Sequence, residues 1–178
     1  MDTTEKQKLT PEIFFVEKIP VVISDFIISG FTGWIYETVI TSIYLREFVD
    51  RGVLPIPILP IYGLFSLILP FIFKRKHNPF FILLASAAGA TVFELAGAYL
   101  TEAILHEQLW TYEHWPLNFF GGRVSVISSL IFGILCIVYV KGVHPFSQFL
   151  CRKLGKAFTI GTYALAGILI ALCSFAWQ

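Results

Sequence analysis

Five stretches of this chain are too apolar and too long to be read as anything but membrane spans, and they decide what it can fold into. They run at about residues 19–44, 57–73, 80–105, 124–140 and 158–177. Crossing a bilayer core takes roughly 20 mostly apolar residues. In lipid a backbone must satisfy its own hydrogen bonds, so each stretch is expected as a helix, and no ten-residue alternating pattern points to a barrel. Composition agrees, with 56% of the 178 residues hydrophobic and 14% charged, against about 25% charged in soluble domains. The expected architecture is an all-α, polytopic transmembrane bundle of about five spans, one domain over residues 19–178 behind a tail at 1–18. The first stretch is not read as a cleavable signal, because it is long, carries Asp25 and offers no small-x-small cleavage site.

The basic residues orient the bundle. Lys6, Lys8 and Lys18, then Lys74, Arg75 and Lys76, then Lys141, Arg152, Lys153 and Lys156 fall on one side of a five-span chain. Only Arg46, Arg51 and Arg123 fall on the other. Ten of the 13 Lys and Arg residues on one side place the N-terminus in the cytoplasm and the C-terminus outside, in a multi-pass protein of the cell membrane. Residues 145–158 set Phe146, Phe149, Leu150 and Leu154 at helical spacing apart from Arg152, Lys153 and Lys156. That pattern suits a helix lying on an anionic inner leaflet, and residues 11–16 are read the same way.

Several chemistries are not indicated. There is no P-loop, no GxSxG and no CxxC, so no nucleotide hydrolysis of its own, no nucleophile elbow and no cofactor is expected. A formal charge of +1 leaves no basic surface for nucleic acid. The outer connection holds His106 and His114 among Glu102, Glu107 and Glu113, but without a recognised ligand spacing no metal is assigned.

The informative residues are the polar ones inside the spans. An ionisable side chain at membrane depth costs roughly 2.5–3.5 kcal/mol on insertion scales, and its default reading is a site. Glu37 and Glu94 both fall roughly 21–24 Å above the inner boundary at about 1.5 Å per residue. Arg51 and Arg123 border the same outer layer, so pairing between these acids and arginines is expected, either as a lock between helices or as the lining of an outward-facing polar pocket. The second stretch opens with Pro55, Pro57, Pro60 and Gly63, which predicts a broken helix start that brings the Tyr62 hydroxyl to this layer. Small residues mark packing faces at Ser86, Ala90 and Ala98 around Glu94, at Ser29, Gly30 and Gly33, and at Gly161, Gly167 and Ala171. Asp25, close above Lys18, is read as snorkelling at the inner interface.

In order along the chain stand Gly33-Trp34-x-x-Glu37, Arg51-Gly52, Pro57-x-x-Pro60-Ile61-Tyr62-Gly63, Phe93-Glu94, Glu102, Trp110-x-Tyr112, Asn118, Gly122-Arg123, Ser129 and Gly133. Over about residues 30–145 this series resembles the small membrane proteins of the CmpB-like type IV family of ABC-transporter permeases. Three positions depart from the family pattern: Asp50 stands where Asn is usual, Ile56 where Gly is usual, and Thr111 within the Trp-Asp-Tyr element. The resemblance implies a permease component with candidate substrate-binding residues Glu37, Glu94, Arg123, Arg51, Tyr62, Asn118, Trp34 and Tyr112. It also implies a cytoplasmic ATPase, and five short helices would need a homodimer or partner membrane subunit to enclose a path.

Three readings follow. The chain is a transporter component binding a polar or charged solute, with Glu37 or Glu94 able to carry a proton. Alternatively it is an outer-face enzyme on a lipid or lipid-linked substrate, or a non-catalytic membrane scaffold. Carboxylates without an evident nucleophile or metal favour binding over catalysis.

Overall fold

The structure, a computed structural model, describes residues 11–175 apart from 53, 76 and 109. The tail residues 1–10, Lys76 of the basic cluster and Trp177 of the last stretch lie outside the described residues. In chain order the elements are α1 (Pro11–Leu45), α2 (Pro60–Ile72), α3 (Pro79–Leu105), β1 (Asn118–Phe119), β2 (Val124–Ser125), α4 (Val126–Val138), a π-helical turn (Tyr139–Val143), α5 (His144–Leu154) and α6 (Lys156–Phe175). The architecture is that of an all-α membrane protein, with one two-residue β-hairpin that the sequence did not announce.

Four helical segments are long and apolar enough to cross a membrane: Ile19–Leu45, Pro79–Ile104, Val126–Leu154 and Lys156–Phe175. The second apolar stretch is helical only over the 13 residues of α2, about 20 Å at 1.5 Å per residue. Its beginning is broken where the prolines predicted, since residues 54–59 are non-helical and Pro60 opens the helix. The expected surface segment 145–158 is helix α5, a glycine corner at Gly155 (φ 51°) and the start of α6.

The chain forms two compact units. One comprises residues up to Ile68 together with Val143 onward, and the other Leu69–Gly142. In the first, α1 packs against α5 and α6. The non-helical segment before α2 lies along α1, where Leu59 donates its N–H to the Gly30 carbonyl at 3.0 Å. Glycine is required at Gly33, because a Cβ there would stand 2.2 Å from Cγ of the Tyr62 ring. Without that close approach Tyr62 would be pushed off α1.

In the second unit α3 and α4 lie side by side. Ser86, Ala90 and Ala98 are buried, as the small-residue stripe predicted, and Gly133 lets α4 approach the backbone of Leu83. Asn78 caps α3 by accepting from the Phe80 N–H at 2.9 Å, Pro79 occupies the first turn, and Ser125 caps α4. The small residues of α6 behave differently from expectation. A Cβ at Gly161 or Gly167 would meet nothing within 4 Å, and only 6% of the α6 span is buried, so most of its apolar surface is left for lipid or another chain.

Gly33→Ala is expected to lower stability by about 1–3 kcal/mol through overpacking against Tyr62, while Gly89→Ala, into open space, leaves it unchanged or slightly raised. Thermal unfolding of the two variants in detergent checks the contrast.

Candidate functional site

Each unit grips one intramembrane carboxylate with a tyrosine delivered by the segment that follows its helix. In the first, the Tyr62 hydroxyl donates to Glu37 Oε1 at 2.8 Å, with the Tyr36 ring edge-on to Tyr62. Arg51 Nε stands 3.9 Å from Glu37 Oε2, and the two side chains are 45% and 28% exposed. The contact is long and half in the open, which leaves the guanidinium able to meet a second anionic group.

Arg51 is carried by a turn folded around Asp50. Asp50 Oδ1 accepts from the Trp34 indole at 2.7 Å and from the Gly52 N–H at 2.8 Å. The Arg51 N–H reaches Thr38 Oγ1 and that of Val49 reaches Ser42 Oγ. Trp34, one of the expected binding residues, therefore acts on the site through Asp50. The Gly52 N–H, and after it the indole, hold the Asp50 carboxyl below its usual range.

In the second unit the Tyr112 hydroxyl donates to Glu94 Oε1 at 2.9 Å. Ser128, in the first turn of α4, bonds to the same oxygen at 3.2 Å and to the tyrosine hydroxyl at 3.1 Å. The Thr91 and Ser129 hydroxyls lie 2.7 Å apart nearby. Tyr112 is placed by the loop between α3 and β2, in which its N–H donates to the Gly122 carbonyl at 2.7 Å. Gly122 sits at φ 73°, where a side chain is disfavoured and would also strike Glu113 and Thr111. Asn118 donates to the carbonyls of Glu113 and Trp115, so it ties the loop to itself.

Arg123 is placed otherwise than the sequence anticipated. Its guanidinium makes a two-pronged pair with Glu102, at 2.8 Å from Nε and 2.7 Å from Nη2. Nη1 donates to the Phe120 carbonyl at 2.7 Å, and the group lies 5.0 Å over the Tyr99 ring. The Trp110 indole donates to the Arg123 carbonyl. The bond to Glu102 holds Arg123 above its ordinary pKa, and this geometry fastens the loop to the end of α3.

One polar cluster escaped the sequence reading. Asp25, expected at the water interface, is 2% exposed, and its Oδ2 lies 2.6 Å from Nδ1 of His144 in the first turn of α5. Gln148 Nε2 lies 3.0 Å from His144 Nε2, and Ser24 and Ser147 approach each other beside them. The one available signal was Asp25 itself, since a carboxylate in an apolar helix demands a buried partner. Nothing in local spacing pointed to a histidine 119 residues away. Among the described residues no group of three His, Cys, Asp or Glu side chains is arranged to hold a metal.

A family model described as "Putative ABC-transporter type IV" matches residues 24–176. Neither a curated protein nor a solved structure matches the chain.

The Asp50 turn generates a pH prediction. A depressed folded pKa stabilises the turn above the unfolded value of 3.8, and this stabilisation is lost as the pH falls below 3.8 through the folded value. Asp50→Asn keeps the acceptor oxygen but has no proton to gain. Emission from the Trp34 indole is expected to change on acidification below pH 3.8 in the parent and to stay flat there in Asp50→Asn, each read against its Trp34→Phe counterpart.

Proposed function

The chain belongs to the ABC-transporter type IV family, and from that premise we propose that it is a transport component of the cell membrane that binds a polar or charged solute at its outer face. Glu37 and Glu94 are candidate solute-binding acids, each within its own unit, and Tyr62 and Tyr112 set their orientation. Arg51 supplies the positive charge. Trp34 acts through the Asp50 turn, while Arg123 and Asn118 hold the outer loop in the shape that presents Tyr112.

The observation that carries this reading is the mismatch between what Glu37 costs and what holds it. An ionisable group in a span costs roughly 2.5–3.5 kcal/mol, while one side-chain hydrogen bond between membrane helices returns about 0.6–1.7 kcal/mol. Tyr62 alone does not offset Glu37, and the long contact with Arg51 adds little. A purely structural lock resembles the Arg123–Glu102 pair, closed and two-pronged, whereas Glu37 and Arg51 are half-open to an incoming group.

The proposed topology keeps the N-terminus in the cytoplasm, with Lys74, Arg75, Lys141, Arg152, Lys153 and Lys156 on the inner side, by the positive-inside rule. The bare apolar surface of α6 supports a second copy or a partner membrane subunit. A cytoplasmic ATPase, where transport is driven, would dock on that same basic inner side.

Purified protein screened by thermal shift against amino acids, organic phosphates and small organic cations tests the reading. Some solute is expected to stabilise the parent, by about 2.7 kcal/mol at a hundred times its Kd. Glu37→Gln and Glu94→Gln should stay folded within about 1–2 kcal/mol of the parent and lose at least tenfold in affinity. A parent that no solute shifts, or variants that bind like the parent, would reject it.

A further inference from the structure

The first unit holds a second feature, remote from Glu37 along α1. Between α1 and α6 runs an apolar groove of about 360 Å³, walled by Ile27 and Ile28 on one side and by Phe158 and Leu165 on the other. That volume falls within the roughly 300–1,000 Å³ typical of small-molecule sites. Gly161 lies in its wall, where a Cβ would meet nothing within 4 Å, so the missing side chain contributes to the space. Ala157 and Leu165 bound it along α6, which at 1.5 Å per residue gives a slot about 12 Å long, parallel to a spanning helix.

One end of the slot is defined by Leu154 and Ala157, which lie on either side of the Gly155–Lys156 corner between α5 and α6. Arg152, Lys153 and Lys156 are all exposed there. Among the residues whose side chains are described, which leaves out 11–18, no carboxylate pairs with any of the three, and Lys153 lies over the Phe149 ring, at 5.6 Å. Phe146, Phe149 and Leu154 are exposed on α5 beside them, the composition of a helix seated at the boundary between head groups and acyl chains. An apolar slot along the membrane normal, closed at the interface by three cations, matches one ligand: a lipid with an acyl chain in the slot and a negative head group at the corner.

We propose that the α1–α6 groove and the Arg152–Lys153–Lys156 corner form a binding site for one anionic phospholipid. The acyl chain fills the gap left by Gly161, and the phosphodiester is held by Arg152 and Lys156. The site is independent of the solute reading, since it shares no residue with Glu37, Tyr62 or Arg51. A zwitterionic lipid fits the slot equally well but carries a choline cation toward the basic corner, which opposes binding there.

Native mass spectrometry of the full chain, titrated separately with dioleoyl phosphatidylglycerol and dioleoyl phosphatidylcholine, tests it. The expected result is one retained phosphatidylglycerol, bound at least tenfold more tightly than phosphatidylcholine. Arg152→Gln with Lys156→Gln should remove that preference. Gly161→Leu should abolish retention of the lipid, and Gly167→Leu, placed in open space on the same helix, should leave it intact. Melting curves confirm that each variant is folded. Equal retention of the two lipids by the parent, or undiminished retention by Gly161→Leu, would overturn the proposal. So would a change in oligomeric mass in Gly161→Leu with lipid binding unaltered, which would make the groove a contact between copies.

Discussion

A polar group at membrane depth has only the protein to bond with, and that constraint shapes the segments that meet Asp25, Glu37 and Glu94. The proline segment before α2 does not hang free; Leu59 bonds to the Gly30 carbonyl and Tyr62 to Glu37. The loop between α3 and β2 closes through Tyr112 and Gly122 and through the Asn118 clasp. Asp25 is buried against His144. Asp25, Glu37, Glu94 and Glu102 have thus each drawn a named partner from elsewhere in their own unit. The partners explain where the turns, glycines and caps must fall.

The two units apply one device with different hardware. A long apolar helix carries a glutamate, and the next segment returns a tyrosine hydroxyl to it. In the first unit the return depends on Gly33, which lets the Tyr62 ring lie on α1. In the second it depends on a hairpin whose sharp turn runs through Gly121 and Gly122. The surroundings then diverge. Glu94 is bonded by Tyr112 and Ser128, whereas Glu37 faces a half-exposed Arg51 at a loose distance. On the proposed reading that difference is functional, because the open pair can admit an anionic group beside Glu37.

Much of this was legible in the chain. Apolar length gave the helices, prolines gave the broken start of α2, and the four-residue spacing of Ser86, Ala90 and Ala98 gave the buried face of α3. Glu37, Arg51 and Tyr62 were expected in company and are together, as are Glu94 and Tyr112. The misses have a common cause, which is that partner choice between distant segments leaves no periodic trace. Arg123 could have answered any acid of the outer layer, and it is the last turn of α3 that offers Glu102 in a two-pronged geometry. His144 follows a π-helical turn, a local change of winding that shifts which residues face α1 and that no apolar count reveals. The glycines of α6 looked like a packing stripe, yet a Cβ at Gly161 or Gly167 would meet nothing within 4 Å, because small residues alone do not say whether a neighbouring helix fills the space beside them.

The proposed reading places Glu37 and Glu94 at outward-accessible positions and the basic corner of α5 and α6 toward the cytoplasm. Replacing Cys136, Cys151 and Cys173 and placing single cysteines at 37, 94 or 156 allows this to be read in intact cells with a membrane-impermeant maleimide. The account predicts labelling at 37 and 94 from outside, and at 156 only after the membrane is opened. Labelling at 156 in intact cells, or at 37 and 94 only after opening, would contradict it.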